Sequence, residues 1–277
     1  MQTVRDQAAK ASKARGANIV AAFNADIFNM STGEPTGCLV MNGKTYKEGI
    51  GRPYFAILND GTAEIGESMT KEKVADVKEA ISGFYVLAKN GVRTGYGYST
   101  GNFAPKTAVG IKPDGSVIFY VADGRNYPVS CGLCDKDLTS IMLGFGCVDI
   151  LNLDGGGSTT YAAKHEGSST LEVTNNPSDG VERKVSSTVF VVSTATPTGE
   201  FDHASLSPNN NVYTPNSTVD FSAKGVDSSG GKAPLPADGA FALAESSADM
   251  GTISAAGEFT STGKCGAGIT GKSGQIA

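Results

Sequence analysis

Three stretches of the chain leave an apolar run on polar residues. IVAAFNADIFN ends its run at Asn24 and Asp26, VIFYVADGRN at Asp123, Gly124 and Arg125, and DILNLDGGGST at Asn152, Asp154 and Gly155. One such end alone reads most simply as a turn in which Asp caps its own backbone. Two of the three, however, repeat the spacing Asn-x-Asp, and residues i and i+2 of a strand face the same way. Asn24 with Asp26, and Asn152 with Asp154, are therefore each expected to present two polar groups to one side. If the three ends adjoin, they make a polar pocket with several carboxylates and one arginine. Gly155, Gly156 and Gly157 would let backbone approach a ligand closely and turn its N–H groups toward one point, a nest suited to an anion. Ser158 and Thr159 would add hydroxyl donors. The expected occupant is small, polar and anionic.

Other motifs fit less well. No Lys-Ser/Thr pair follows the glycines, so the loop is not a P-loop. GYSTG matches G-x-S-x-G at residues 97–101, but Pro105 and a strand follow where a nucleophile elbow needs a helix. Cys131 and Cys134 match C-x-x-C without a second such pair, and the only histidines are His165 and His203, too few ligands for zinc. The two cysteines read best as small buried residues at a helix start. His165 reads as a solvated loop residue and His203 as structural or exposed. Carboxylates with Asn carbonyls also suit a structural Ca²⁺, although NLDGGG is no EF-hand; otherwise no metal or cofactor is expected.

Short β-branched or aromatic runs must carry these ends. Strands are expected over 19–23, 38–41, 54–58, 84–87, 107–111, 117–122, 148–153 and 187–192, with Asp-Gly hairpin turns in NDGTAEI and KPDGSVIF. Helices are expected over 3–15, 71–82 and 136–143; the second has Val74, Val77, Ala80 and Ile81 at helical spacing. Strands and helices without regular alternation argue for an α+β domain, a mixed β-sheet with flanking helices. Near residue 196 a Pro, Thr and Gly linker intervenes, and the helical period disappears beyond it. The expected division is 1–195 and 196–277, the second part a small all-β sandwich. Its last stretch, GAGITGKSGQIA, is too poor in apolar residues for a clear strand.

The 277 residues suffice for two domains, and Lys plus Arg at 23 against Asp plus Glu at 28 gives a net charge of −5. A mildly acidic chain without a basic run is a poor nucleic-acid partner, and no run approaches the roughly 20 apolar residues of a membrane span. The first residues lack the apolar core of a signal peptide, so a native chain is expected to begin upstream.

In order along the chain stand NADIFN, TGCLVMNGK, PKTAVG, DGR, LNLDGGGST and NPSDGVERKVSSTVFVV. Together, over about residues 4–193, they resemble the phosphodiester glycosidase family. The resemblance implies an α+β catalytic domain, secreted or at the cell surface, that removes a sugar from a sugar-1-phosphodiester. Residues 196–277 resemble a bacterial Ig-like repeat, which implies association with the cell wall. Motif by motif, the family's sites fall on Asn24, Asp26 and Phe28, on Lys106 and Thr107, on Asp123–Arg125, on Asp154–Ser158 and on Arg183, Val185 and Ser186. Lys106 stands where the family usually has Arg, which keeps the charge but loses the bidentate fork.

Glycosidic cleavage usually employs two carboxyl groups. A glycosyl phosphodiester lightens the task, since its leaving group is a phosphate monoester with a second pKa of about 6. Asp26 and Asp154 are the expected carboxylates, with Asn24 and Asn152 orienting them or the sugar hydroxyls. Lys106, Arg125, Arg183 and the glycine nest are the expected phosphate contacts, with Thr107, Asp123, Ser158 and Thr159 in support. The alternative is a non-catalytic glycan-binding protein on the same scaffold.

Overall fold

The computed structural model describes residues 1–208, 213–245 and 248–262. The chain forms two compact units, one of residues 1–164 and 171–193, the other of 165–170 and 194–277.

The first unit opens with α1 (Val4–Arg15). Thr3 caps it by accepting from the Asp6 N–H, and Gly16 ends it at φ 64°. Val4 and Ala8 bury one side of the helix against Ile19, Ala22 and Ala162. The strands that follow are β1 (Ile19–Asn24), β2 (Leu39–Met41), β3 (Lys44–Lys47), β4 (Tyr54–Leu58) and β5 (Ala63–Gly66). After α2 (Lys71–Ala75) come β6 (Val77–Ser82), β7 (Tyr85–Lys89), β8 (Val92–Arg93), β9 (Lys106–Ile111) and β10 (Val117–Ala122). The unit closes with α3 (Asp135–Gly144), β11 (Asp149–Asn152), β12 (Tyr161–Lys164), β13 (Leu171–Val173) and β14 (Thr188–Val192). Both Asp-Gly turns join hairpins as expected, β4 to β5 and β9 to β10.

Three antiparallel sheets result, ordered β13-β12-β1-β14, β10-β9-β11-β7-β8 and β3-β2-β6-β4-β5. Phe55, Ile65 and Ile81 of one five-stranded sheet share a core with Val86, Val109, Ile111 and Leu151 of the other. On the far side of β9 and β11, Ala108 and Ile150 pack with Leu138 and Met142 of α3. Strand β9 is therefore buried on both faces, which explains its continuous apolar run.

The helix expected over 71–82 is a correction. Helix α2 stops at Ala75, with Asp76 as its C-cap, and 77–82 is β6. That strand lies between β2 and β4 and is hydrogen-bonded to both. Val77, Ala80 and Ile81 satisfy a helical period, but as the middle strand of a sheet they are buried because both neighbours and both faces cover them.

Among its described residues the second unit holds two three-stranded antiparallel sheets. One orders β15 (His203–Ser207), β17 (Ser222–Val226) and β18 (Lys232–Ala233). The other orders β16 (Thr218–Asp220), β20 (Glu258–Ser261) and β19 (Gly251–Ile253). Phe221 and Phe259 meet edge to face at 6.2 Å. The Asp227 carboxylate binds the turn and the linker together, accepting from the N–H groups of Thr198, Gly199, Ser229 and Gly231. The stretch GAGITGKSGQIA lies outside the described residues.

Candidate active site

Register alone assembles the site. Strand β9 runs antiparallel to β11, so the start of one lies beside the end of the other, and the Leu153 N–H donates to the Thr107 carbonyl at 2.9 Å. Strand β10 ends beside that same start, with Ala122 opposite Lys106, and Tyr85 at the head of β7 stands opposite Asn152. One edge of this sheet thus collects Asp123, Lys106, Thr107, Asn152 and Asp154.

Strand β1 comes from another sheet and is joined to that edge by one side chain. The fully buried Asn24 donates from Nδ2 to the Asp154 carbonyl at 2.6 Å. Its Oδ1 accepts from the Thr107 hydroxyl at 2.8 Å and from the Thr160 N–H at 3.0 Å. The Asp154 N–H completes the seam by donating to the Ala25 carbonyl at 3.0 Å. Both acceptor positions of the Asn24 amide oxygen and one of its two N–H donors are spent on protein, so Asn24 positions the site.

Asp154 is partly exposed. Its Oδ1 accepts from the Gly155 N–H at 3.0 Å. Burial raises its pKa, while the Ser158 hydroxyl, the Gly155 N–H and the Arg183 charge pull it back. Arg183 donates to Ser158 Oγ at 3.3 Å and is itself held by Asp179 at 2.7 Å. A methyl group added at Gly157 would stand 1.9 Å from Nη2 of Arg183, and one added at Gly156 would stand 3.0 Å from Nη1 of Arg125. Two guanidinium groups therefore lie directly over the glycines, and the bare backbone is what admits them. Gly156 at φ 60° also needs to be glycine for its own conformation. Most N–H groups of the loop are occupied internally: Gly156 donates to Pro105, Ser158 to Gly155 and Thr159 to Gly156. Positive charge at this loop comes from the arginines.

Asp26 is only 2% exposed. Its Oδ2 accepts from the Gly37 N–H at 2.7 Å and its own N–H donates to Ser187 Oγ at 3.2 Å. Its Oδ1 is buried without a partner among the described residues. Burial pushes the carboxyl up to about 6, against the Gly37 hydrogen bond and the Arg52 charge, and the Asp154 charge pushes it further the same way. The two carboxylates thus feel each other.

The remaining expected residues divide. Asp123 accepts from Asn175 Nδ2 at 2.9 Å and from the Asn176 N–H at 2.9 Å; Asn175 also donates to the Thr159 carbonyl. Asp123 therefore fixes the loop behind Thr159. Lys106 is a correction: its ammonium is buried in an ion pair with Asp135 at 2.6 Å, at the first turn of α3. Lys106 shares its strand face with Ala108, which packs on α3, whereas Thr107 points to Asn24. The Cys131 and Cys134 pair is also corrected, since Cys134 is buried at the α3 N-cap while Cys131 is exposed. No helix follows Ser99, as expected for GYSTG. His203 is exposed and pairs with Asp202.

Arg52 was not singled out from sequence. Its charge acts on Asp26, and its Nε is buried without a hydrogen-bond partner among the described residues. Asn152 Oδ1, Thr159 Oγ1 and Thr160 Oγ1 share that condition. Buried polar atoms left unpaired are uncommon, and Asn152, Thr159 and Thr160 flank the glycine loop on its two sides in the chain. Among the described residues no group of three or more His, Cys, Asp or Glu is placed to hold a metal ion, and no helix is long and apolar enough to cross a membrane.

Comparison with known proteins gives a consistent result. Residues 17–192 match the phosphodiester glycosidase family. The chain is 30% identical over 162 residues to the N-acetylglucosamine-1-phosphodiester alpha-N-acetylglucosaminidase of Mus musculus, a match covering 50% of this chain and 31% of that protein. The Homo sapiens protein of the same name is 27% identical over 179 residues, covering 57% and 34%. The chain thus spans about a third of these mammalian relatives. Over 87 residues it is 36% identical to the SPbeta prophage-derived uncharacterized protein YomE of Bacillus subtilis (strain 168), covering 31% of this chain and 12% of that one. Among solved structures, the catalytic domain of the zebrafish N-acetylglucosaminidase, described as auto-inhibited by its pro-peptide, shares the fold. Its TM-score is 0.54 at 23% identity, over 69% of this chain and 66% of that one. A putative exported protein of Burkholderia pseudomallei K96243 shares it with a TM-score of 0.51 at 13% identity, over 69% and 68%.

Proposed function

Because the chain belongs to the phosphodiester glycosidase family, we propose that it hydrolyses a glycosyl-1-phosphodiester, breaking the bond between the anomeric carbon and the phosphate oxygen. The observation that carries this is a partly exposed Asp154 beside a glycine loop roofed by Arg125 and Arg183. The arginines take the phosphate, and their planar forks match its oxygens. They stabilise the departing dianion, so no strong acid is needed for its departure. Asp154 faces the sugar, as nucleophile or as the base that activates water. Asp26 is close enough to respond to the Asp154 charge, and its pKa of about 6, raised by burial, leaves it mostly ionised at neutrality and protonated in mild acid. Asn24 fixes the backbone of Asp154 and so the direction of its carboxylate. The reaction draws on no cofactor. We extend the reading to a chain acting outside the cytoplasm, with the second unit an Ig-like module at the cell wall; the all-β make-up of that unit supports it.

The near-complete burial of Asp26 favours a second reading, a glycan-binding protein that does not turn over. Release of sugar from N-acetylglucosamine-1-phosphomethyl diester separates the two. Wild type is expected to release it and Asp154→Ala is not. Equal release by both removes Asp154 from the mechanism, and none from any glycosyl phosphodiester by wild type favours the binder.

A further inference from the structure

The segment between β13 and β14 reaches the glycine loop with two side chains, Asp179 and Arg183. Arg183 Nε donates to Asp179 Oδ2 at 2.8 Å, and its Nη2 lies 2.7 Å from the same oxygen. Its Nη1 donates to Ser158 Oγ at 3.3 Å. A methyl group added at Gly157 would collide with Arg183 Nη2 and with Asp179 Oδ1, so the pair as a whole rests on that glycine. Gly157 lacks the positive φ of Gly156. Its missing side chain therefore serves the ion pair rather than the turn.

The backbone on both sides of the pair is fixed by other means. The Glu182 carboxylate accepts from the Arg5 N–H and from Arg5 Nε, each at 2.9 Å, and Val185 pairs with Gln2. Asp179 sits in a tight turn closed by the Gly180 N–H on the Pro177 carbonyl at 2.9 Å. An exposed pair four residues apart adds little stability, and here Arg183 and Asp179 are 29% and 36% exposed. What the pair decides is where one flexible guanidinium stands.

We propose that Asp179 is a positioning residue, which sets the Arg183 guanidinium over the glycine loop before the phosphate arrives. The inference rests on the function proposed above. Taken by its charge alone, Asp179 is misplaced, since a carboxylate beside a phosphate repels it. Its use is geometric. With Nε turned to Asp179 and Nη1 to Ser158, each terminal nitrogen keeps at least one further N–H for a phosphate oxygen. The phosphate then meets a fork already in place, and the rotamer freedom of a long side chain is not lost in the binding step. The Ser158 hydroxyl also acts on the Asp154 carboxylate. A line of side chains thus runs from Asp179 through Arg183 and Ser158 to the carboxylate assigned to the sugar. Asp179 itself touches no substrate.

The test is a cycle of Asp179→Ala, Asp179→Asn, Arg183→Ala and the double variant Asp179→Ala with Arg183→Ala, on N-acetylglucosamine-1-phosphomethyl diester. Asp179→Ala is expected to lower kcat/KM roughly tenfold, although it sheds a charge that repels the phosphate. Asp179→Asn sheds the same charge but keeps an acceptor, and should stay within about threefold of wild type. In the Arg183→Ala background, removal of Asp179 should bring no further loss, because Asp179 acts only through that guanidinium. A rise in kcat/KM with Asp179→Ala would mark a carboxylate that only repels, and would overturn the proposal. So would no change, a loss in Asp179→Asn equal to that in Asp179→Ala, or a full second loss in the double variant. Calorimetry with N-acetylglucosamine-1-phosphate reads the same cycle without turnover. Its Kd should rise roughly tenfold in Asp179→Ala and stay near wild type in Asp179→Asn. If wild type cleaves no glycosyl phosphodiester, the hydrolase reading fails and this binding cycle alone decides. The same pattern then supports Asp179 as the residue that positions Arg183, and an unchanged Kd, or no binding by wild type, overturns it.

Discussion

Replacing Asp26 with Asn should favour the variant's stability relative to wild type more above neutrality than in acid. Asp26 is 2% exposed, and burial lifts its carboxyl from 3.8 to about 6. The folded state therefore prefers the protonated form more than the unfolded chain does. The cost of ionisation is absent below pH 3.8, grows as pH rises toward 6, and is constant beyond it. A shift of this size at 1.36 kcal/mol per pKa unit amounts to about 3 kcal/mol at pH 8. Partial titration leaves about 1 kcal/mol of that cost at pH 4.5, so the difference between the two pH values is about 2 kcal/mol. Asn can still accept the Gly37 N–H, while its new Nδ2 brings a desolvation cost of its own. That cost is the same at both pH values and cancels in the comparison. The assay is urea unfolding of wild type and Asp26→Asn at pH 4.5 and 8, followed by tyrosine fluorescence because the chain has no tryptophan. In parallel, the ¹³C signal of the Asp26 carboxyl should titrate with a midpoint near 6 and move down in Asp154→Asn, since the Asp154 charge contributes to the shift. A stability difference independent of pH, or a midpoint near 4, would refute the reasoning.

Three further outcomes are expected. Gly157→Ala places a methyl group where Arg183 Nη2 now lies; the guanidinium is mobile enough to leave, so stability should change by under about 1 kcal/mol while kcat/KM for a phosphodiester falls roughly tenfold. Steady-state kinetics and urea unfolding of the same sample check both halves. Asn24→Ala strands the Thr107 hydroxyl, the Thr160 N–H and the Asp154 carbonyl in the interior, and unfolding experiments should show a loss of about 3–5 kcal/mol. Asp227, held far below the usual carboxylate range chiefly by the Ser229 hydroxyl and the Gly199 N–H, stabilises the second unit above about pH 4, a contribution lost as pH falls through its folded value. Asp227→Asn should accelerate hydrogen exchange at Thr198 and Gly199 at pH 7.

The site was legible where it depends on strand ends. Asn24, Asp26, Asn152 and Asp154 could be found because each terminates an apolar run, and a pattern of period two survives in sequence. Asn152 and Asp154 reach the site edge because β11 pairs antiparallel with β9, and Asn24 brings the end of β1 to them through its hydrogen bonds to Asp154 and Thr107. Lys106 misled because charge was visible and direction was not; a one-residue step along β9 turns it from Asn24 to Asp135. The stretch 77–82 misled because Ala80, Ile81 and Ser82 are buried in succession while Lys78 is exposed and Glu79 half-buried, which breaks strict alternation and lets Val77, Ala80 and Ile81 imitate a helix. Arg52 carries no local pattern, since its charge acts on Asp26 through space from a residue 26 positions away in sequence.

Residues 165–170, the tip between β12 and β13, belong to the second unit, where Gly167 donates to the Gly230 carbonyl and His203 approaches Glu166 at 3.5 Å. The polypeptide consequently passes from one body to the other three times, after residues 164, 170 and 193. A scissor cut at the linker would not yield two clean halves: a protease nick or a shortened gene ending at 193 would strip this tip of its companions and loosen the hairpin whose other end begins at Tyr161, next to the glycine loop of the candidate site. Dissection of the two bodies therefore has to replace 165–170 by a short turn as well as sever the linker.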